Sequence, residues 1–359
     1  MSLVTGFSAA PTWMRAAAWR RADSRVEHLL SGTPIVEAVV RAERAGFDLC
    51  FRPDALTLPR ETIGHDPAHL GLDPIVQAAQ LAGATSRITL ITTVSATFTE
   101  PYPLARQLVS LEHLAPGRVG WNVVTSRSGD DQFSVARLPD SAARWRRAAE
   151  LIDVVEALRA SFPDGALIAD RESGTLVDLD QVHGIDHVGE SFRVAGPLPL
   201  PARTREPLPL LVAGGGAATV ALAARRADAV FGAAVETADS VTQREAIRAA
   251  AAEEGRSRIP LFLPGLSLLL ADTREEAVEI ARETYEPGRR AIGPHWSVVG
   301  TPADAVASIA ARARAQAIDG FIAFPIGSWR SVELVCEVVL PRLRELGLVG
   351  PLPPPPSRH

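Results

Sequence analysis

Leu210-Leu211-Val212-Ala213-Gly214-Gly215-Gly216-Ala217-Ala218-Thr219-Val220-Ala221-Leu222-Ala223-Ala224-Arg225-Arg226-Ala227-Asp228-Ala229-Val230-Phe231 is the stretch on which the fold turns. A short apolar run, Leu210–Val212, meets three glycines. A helix-forming run, Ala217–Arg226, follows, and a second short apolar run, Ala229–Phe231, closes the unit. Strand, tight turn, helix and strand in that order is a βαβ unit, which belongs to a parallel sheet.

The same rhythm extends in both directions. Downstream the pattern predicts helix Ser240–Glu253, strand Leu261–Leu270 and helix Arg274–Thr284. An irregular stretch to Thr301 precedes helix Ala303–Ala317, strand Phe321–Phe324 and helix Ser331–Leu346. Upstream, Leu3–Phe7 reads as a weak first strand. Thr33–Ala45 is an amphipathic helix closed by Gly46, and Leu49–Phe51 is a short buried strand. Asp73-Pro74 caps a helix over Ile75–Ala82. Strand Ile88–Val94, helix Leu104–Leu114, strand Val119–Val124 and helix Ala142–Ala160 come next. The count is eight β/α repeats, so the fold expected is an α/β (β/α)8 TIM barrel with insertions, one domain over residues 1–350. The insertions are a stretch of hairpins and loops at about 162–209 and the irregular stretch at about 285–301. A proline-rich tail occupies 351–359. An open doubly wound sheet is the competing architecture, and it ordinarily has fewer repeats.

Composition narrows the function classes. The 359 residues are 47% hydrophobic and 22% charged, with net charge −5, which argues against a nucleic-acid surface. No 18-residue uncharged apolar run is present, and the N-terminus lacks the basic start and long apolar stretch of a signal peptide, so no membrane partner is expected. Cys50 and Cys336 stand far apart with no ligand at metal spacing, so both read as buried small apolar residues in a protein of the reducing cytoplasm. The chain has no lysine, which excludes Schiff-base chemistry and a lysine-bearing P-loop.

In such a barrel the chemistry sits at the C-terminal ends of the strands. That rule selects Asp54, Thr93–Thr97, Asn122–Ser126, Gly214–Gly216, Phe231–Val235 and Pro325–Trp329. Gly214, Gly215 and Gly216 open a helix after a strand, where backbone N–H groups and the helix dipole suit an anion; a plain tight turn is the alternative. The missing third glycine of the spaced motif argues against a dinucleotide fingerprint. Asn122 and the hydroxyls near it need polar partners, which a heterocycle's carbonyls and ring nitrogens supply; a polar plug is the bland reading. His183 and His187 flank Gly184 in the irregular stretch and imply no metal site, and none is expected elsewhere. His113 falls inside a helix and reads as structural. His295, beside Trp296 and ahead of Gly300-Thr301-Pro302, is the candidate for acid–base work.

Longer segments carry a resemblance. Glu100-Pro101-Tyr102-Pro103-Leu104-Ala105-Arg106, Ser110-Leu111-Glu112-His113-Leu114 and Gly117-Arg118-Val119-Gly120-Trp121-Asn122-Val123-Val124-Thr125-Ser126 look like the nitrilotriacetate monooxygenase component A branch of the bacterial luciferase-like flavin-dependent monooxygenase superfamily. Phe51-Arg52-Pro53-Asp54, Val194-Ala195-Gly196-Pro197-Leu198 and Asp319-Gly320-Phe321 match it as well. The resemblance implies FMN at the barrel mouth, delivered reduced by a separate NAD(P)H:flavin reductase, with O2 used to oxygenate a small organic substrate. By position it implies that Asp54, Thr93 and Asn122 line the ring, that Gly214 to Gly216 receive the phosphate, and that His295 is catalytic. It also implies a homodimer. Ser141 and Trp145 stand where this branch places a His and a Tyr that help hold FMN, and Gly215-Gly216 replaces two serines of its phosphate loop. These departures keep two other readings open: an oxidoreductase using the deazaflavin F420, and a non-catalytic flavin-binding relative.

Overall fold

The structure, a computed structural model, describes residues 2–133, 137–285 and 295–352. The chain runs β1 (Val4–Ser8), α1 (Thr33–Ala45), β2 (Leu49–Arg52), α2 (Pro74–Ala84), β3 (Thr89–Ser95), α3 (Pro101–Leu114), β4 (Val119–Val124) and α4 (Ser141–Ala160). Two short hairpins follow, β5 (Leu167–Asp170) with β6 (Thr175–Val177) and β7 (His187–Val188) with β8 (Arg193–Val194). Then come β9 (Leu210–Ala213), α5 (Ala217–Arg226), β10 (Ala229–Gly232), α6 (Thr237–Glu253), β11 (Leu261–Leu270), α7 (Arg274–Thr284), β12 (Trp296–Gly300), α8 (Pro302–Arg314), β13 (Gly320–Pro325) and α9 (Trp329–Leu334).

Strands β1, β2, β3, β4, β9, β10, β11 and β13 pair in parallel in that order, and β13 returns to pair with β1, closing the ring. They are the eight strands that the sequence pattern predicts, and the ring is a (β/α)8 barrel. Alternation explains why each stave folds as it does. One set of positions, among them Leu49, Phe51, Ile91, Leu211, Ala229, Leu263, Ile322 and Phe324, packs together inside the ring. The intervening set, including Phe7, Cys50, Leu90, Val94, Val119, Trp121, Val123, Val212 and Val230, packs outward under the helices. Both faces of every stave are therefore buried, at about 1.5–3 kcal/mol per large apolar side chain.

Local signals hold at several helix starts. The Asp73 side chain accepts from Ile75 and Val76 N–H with Pro74 at the first position of α2, and Thr301 and Asp304 form a reciprocal capping box on α8. Cys50 and Cys336 are buried free thiols, and burial pushes Cys50 up to about 12, so neither is a nucleophile.

Two segments differ from expectation. Where irregular chain was expected, Trp296–Gly300 is a strand that extends β11, with Leu266 opposite Trp296 and Leu270 opposite Gly300. Its burial alternates, Trp296, Val298 and Gly300 inward against exposed Ser297 and Val299, a period-two signal too short to separate from loop. The helix expected over Ser331–Leu346 is interrupted by a π turn, Val335–Val339, before α10 (Leu340–Glu345). Pro341 has no N–H to give to the preceding turn, which accounts for the broken ladder.

The excursion at 162–209 does form hairpins, and α4 anchors it. The Glu150 carboxylate accepts from Ser191 N at 2.8 Å and Phe192 N at 3.0 Å and lies 2.9 Å from His187 Nε2, so His187 is a structural partner. Arg159, also on α4, forms a fully buried pair with Glu112 of α3 at 3.1 Å and donates to Glu206 O at 3.3 Å. Removing one member leaves an uncompensated buried charge. Arg159→Ala is expected to lower stability by about 3–5 kcal/mol, checked by urea denaturation; a change below about 1 kcal/mol would contradict this account of the pair.

Candidate active site

At the C-terminal rim the inward positions turn from apolar to polar. The register places Thr93 beside Asn122, whose Nδ2 donates to Thr93 Oγ1 at 3.1 Å. Ser8 pairs with Phe51 and Ser267 with Phe324, so these two serines also point inward. Ser8 Oγ, Asn122 Oδ1 and Ser267 Oγ are buried with no hydrogen-bond partner among the described residues. Each such orphan costs about 1–3 kcal/mol, so three at one rim mark a place where something polar is meant to bind. Further out, the Ser95 and Ser126 hydroxyls lie 2.7 Å apart, and Ser126 N donates to Thr97 Oγ1 at 3.0 Å.

Gly214 to Gly216 follow β9. Gly214 has φ +133°, a conformation L side chains rarely adopt, and its N–H donates to Phe231 O at 3.1 Å, tying the turn to β10. Gly216 is the N-cap of α5 with no side-chain cap, and a Cβ there would meet nothing within 4 Å. The first-turn N–H groups of α5 thus face an open cradle of the kind that suits an anion. Ser141 and Trp145 lie on the first turns of α4, which packs beside α5. Because β4 and β9 are parallel neighbours, both helices start on the same face. Ser141 is exposed and Trp145 half-buried against the outer core. Among the described residues, neither side chain is hydrogen-bonded to the glycine turn.

On the other side of the rim is a cavity of about 240 Å³ lined by Thr12, Arg15, Phe51, Arg52, Asp54, His69, Phe231, His295 and Phe324, among others. Asp54 and His295, far apart in sequence, share it. Surrounding protein raises the Asp54 carboxyl above its ordinary value, opposed by the Ala55 N–H, which donates to Oδ1 at 2.8 Å. Arg52 reaches back to donate to Leu72 O at 2.8 Å and Pro53 O at 3.0 Å, holding the Leu70–Leu72 wall in place. Thr12 Oγ1 donates to Pro325 O, which seats the segment after β1 over β13. Neither wall was legible in the sequence, because nothing local marks which loop folds over which strand. Phe51 and Phe324 were visible only as strand residues.

His295 stacks parallel on Phe324, with ring centroids 5.3 Å apart, and lies 5.5 Å from Phe231. Its Nδ1 is buried without a partner among the described residues, above Gly265, where a Cβ would fall 2.6 Å from it. Burial pushes the imidazole down from 6.5 to about 4, so the ring is neutral at pH 7. His113, by contrast, is structural as expected, with Nε2 2.8 Å from Pro201 O. Among the described residues no cluster of His, Cys, Asp and Glu could hold a metal, and no helix is long and apolar enough to cross a membrane.

Fold and rim together define a (β/α)8 barrel with a candidate ligand site at its C-terminal mouth. Residues 14–320 match the sequence profile of the family described as luciferase-like monooxygenase, and the chain belongs to that family. It is 34% identical over 276 residues to N-acetyl-S-(2-succino)cysteine monooxygenase of Bacillus subtilis (strain 168), covering 76% of this chain and 62% of that protein. It is 33% identical over 295 residues to nitrilotriacetate monooxygenase component A of Aminobacter aminovorans, covering 78% and 64%. The solved structure of riboflavin lyase (RcaE) with modified FMN and substrate riboflavin matches with a TM-score of 0.84 at 26% identity, over 98% of this chain and 93% of that one. The chain spans a little under two thirds of the length of these curated relatives.

The neutral His295 has a measurable consequence. The unfolded chain takes up a proton near pH 6.5, the folded one only near pH 4. Stability contributed by the neutral ring is therefore full above about pH 6.5 and lost as pH falls toward 4. The loss over that window is on the order of 3 kcal/mol. His295→Phe is expected to flatten the urea-denaturation stability profile between pH 6.5 and 4 by that amount; parallel profiles for the two proteins would contradict it.

Proposed function

We propose that this chain is the oxygenating component of a two-component, FMN-dependent monooxygenase acting on a small organic substrate. The observation that carries the reading is the set of orphaned inward polar atoms, Ser8 Oγ, Asn122 Oδ1 and Ser267 Oγ, on the rim that also carries an open glycine cradle at a helix start. That donor and acceptor set fits a planar heterocycle joined to a phosphate, and the family membership points the same way. Reduced FMN, when bound, supplies the electrons that activate O2 for transfer to the substrate.

The chain's own residues do the rest. Asn122, Ser8 and Ser267 hydrogen-bond ring heteroatoms, with Thr93 holding the Asn122 amide in orientation. The α5 N-terminus and Gly214 to Gly216 receive the phosphate through backbone N–H groups, in place of side-chain hydroxyls. Ser141 and Trp145, at the start of α4, flank that end. His295 is neutral at pH 7 and can accept a proton at Nδ1, and Asp54 faces the same cavity. A separate NAD(P)H:flavin reductase is the proposed source of reduced FMN. A homodimer is proposed through the α2–α3 groove, where Val76, Tyr102 and Leu114 are exposed. The free thiols Cys50 and Cys336 accord with a reducing cytoplasm.

Gly216→Asp tests the cradle. The position has room, and Asp is a favoured N-cap, so the fold should survive while the carboxylate occupies the phosphate's donors and repels it. Fluorescence titration is expected to show FMN binding weakened about 10- to 100-fold, with riboflavin, which lacks the phosphate, unchanged. Equal effects on both ligands, or tighter binding of F420 than of FMN to the unaltered protein, would overturn the proposal.

A further inference from the structure

We propose that Thr219 is a side-chain donor of the anion cradle, giving its hydroxyl hydrogen to a phosphate seated on the glycine turn. The inference rests on reading the turn at Gly214 to Gly216 as the phosphate site. It adds to that site a residue from one helical turn further on.

The glycine turn itself contributes backbone only. Gly214 has φ +133°, a conformation that disfavours any side chain. A Cβ on Gly215 would fall 3.2 Å from Gln243 Oε1, and Gln243 is held in place by donation from Nε2 to Ala233 O at 3.1 Å. Gly216 opens on free space. Val220 N donates to Gly216 O and begins the ladder of α5. The amides of Ala217, Ala218 and Thr219 lie ahead of that ladder and are free to donate.

Thr219 stands behind these amides. The buried face of α5 includes Thr219, Leu222 and Ala223, and Thr219 is its polar member, at the end that meets the turn. Helical side chains lean toward the N-terminus, which directs this one back at the glycines. Its Oγ1 is the atom nearest to where a Cβ on Gly214 would lie, at 2.9 Å, with its Cγ2 at 3.6 Å. The residue is 3% exposed, yet its hydroxyl has no hydrogen-bond partner among the described residues. Thr85 and Thr284, also buried, give their hydroxyls to the carbonyl four residues back, at 2.7 and 2.6 Å. Thr219 does not use that outlet. A buried hydroxyl beside free amides, facing a gap that a glycine keeps open, is a donor without its acceptor. A phosphate fits, because its charged oxygens accept several hydrogen bonds at once; a neutral alcohol there would leave the amides unmatched.

Thr219→Val keeps the branched shape and removes the hydroxyl. Loss of one hydrogen bond to a charged group is expected to weaken FMN about 10- to 100-fold in fluorescence titration, with riboflavin unchanged. Thr219→Ser, which keeps the donor, should bind FMN within about threefold of the unaltered chain. If Thr219→Val does not fold, Thr219→Ala against Thr219→Ser decides. FMN bound undiminished by the variant without the hydroxyl, or FMN and riboflavin weakened alike, overturns the proposal. Inorganic phosphate separates it from the cofactor reading. Phosphate should raise the thermal midpoint of the unaltered chain and leave that of Thr219→Val unmoved, with chloride at equal ionic strength as the control. That result without FMN binding keeps the donor and removes FMN; FMN bound equally by both chains does the reverse. No response to phosphate and no FMN binding removes both.

Discussion

The ladder between β1 and β13 closes the barrel, and every other feature of the mouth depends on it. Val4 lies opposite Gly320, Gly6 opposite Ile322 and Phe7 opposite Ala323. The approach is so close that a Cβ on Gly320 would lie 2.0 Å from Val4 O, and one on Gly6 would lie 2.9 Å from Ile322 Cγ1. Without that seam the first and last staves would be edges of an open sheet. Ser8 and Phe324 would then no longer face a common interior.

Closure creates two environments along the barrel axis. Lower down, inward Leu, Ile and Phe side chains fill the ring and stabilise it. At the rim the same inward positions become Ser8, Thr93, Asn122 and Ser267, and several of their polar atoms lack partners. The rim is destabilising in itself and is tolerated because the floor beneath it is well packed. Such an arrangement is preorganised, since polar groups held in place by rigid staves need little rearrangement when a ligand arrives. The family to which the chain belongs is consistent with a ligand at that rim.

The loops are governed by a few long-range polar anchors. Arg52 draws the Leu70–Leu72 segment over the cavity, Thr12 ties the segment after β1 to Pro325, and Glu150 gathers the second hairpin onto α4. Each anchor is a side chain satisfying backbone groups that no regular element satisfies. The shape of the cavity thus depends on side chains that reach backbone far from them in sequence.

What the sequence determined by itself was the identity of the repeating units. Short apolar runs such as Leu210–Val212, helix caps such as Asp73-Pro74 and the glycines at 214–216 are local signals, and local backbone preference reads them directly. Polar residues at strand ends, Asp54, Thr93 and Asn122, were legible for the same reason, because barrel geometry assigns strand ends to the mouth. Tertiary structure decided what distance in sequence hides. It made Trp296–Gly300 a strand by pairing it with Leu266–Leu270, and it set His295 against Phe324 and opposite Asp54. It also lowered the proton affinity of His295, since a ring's proton affinity depends on the neighbours packed around it, and those neighbours come from other staves.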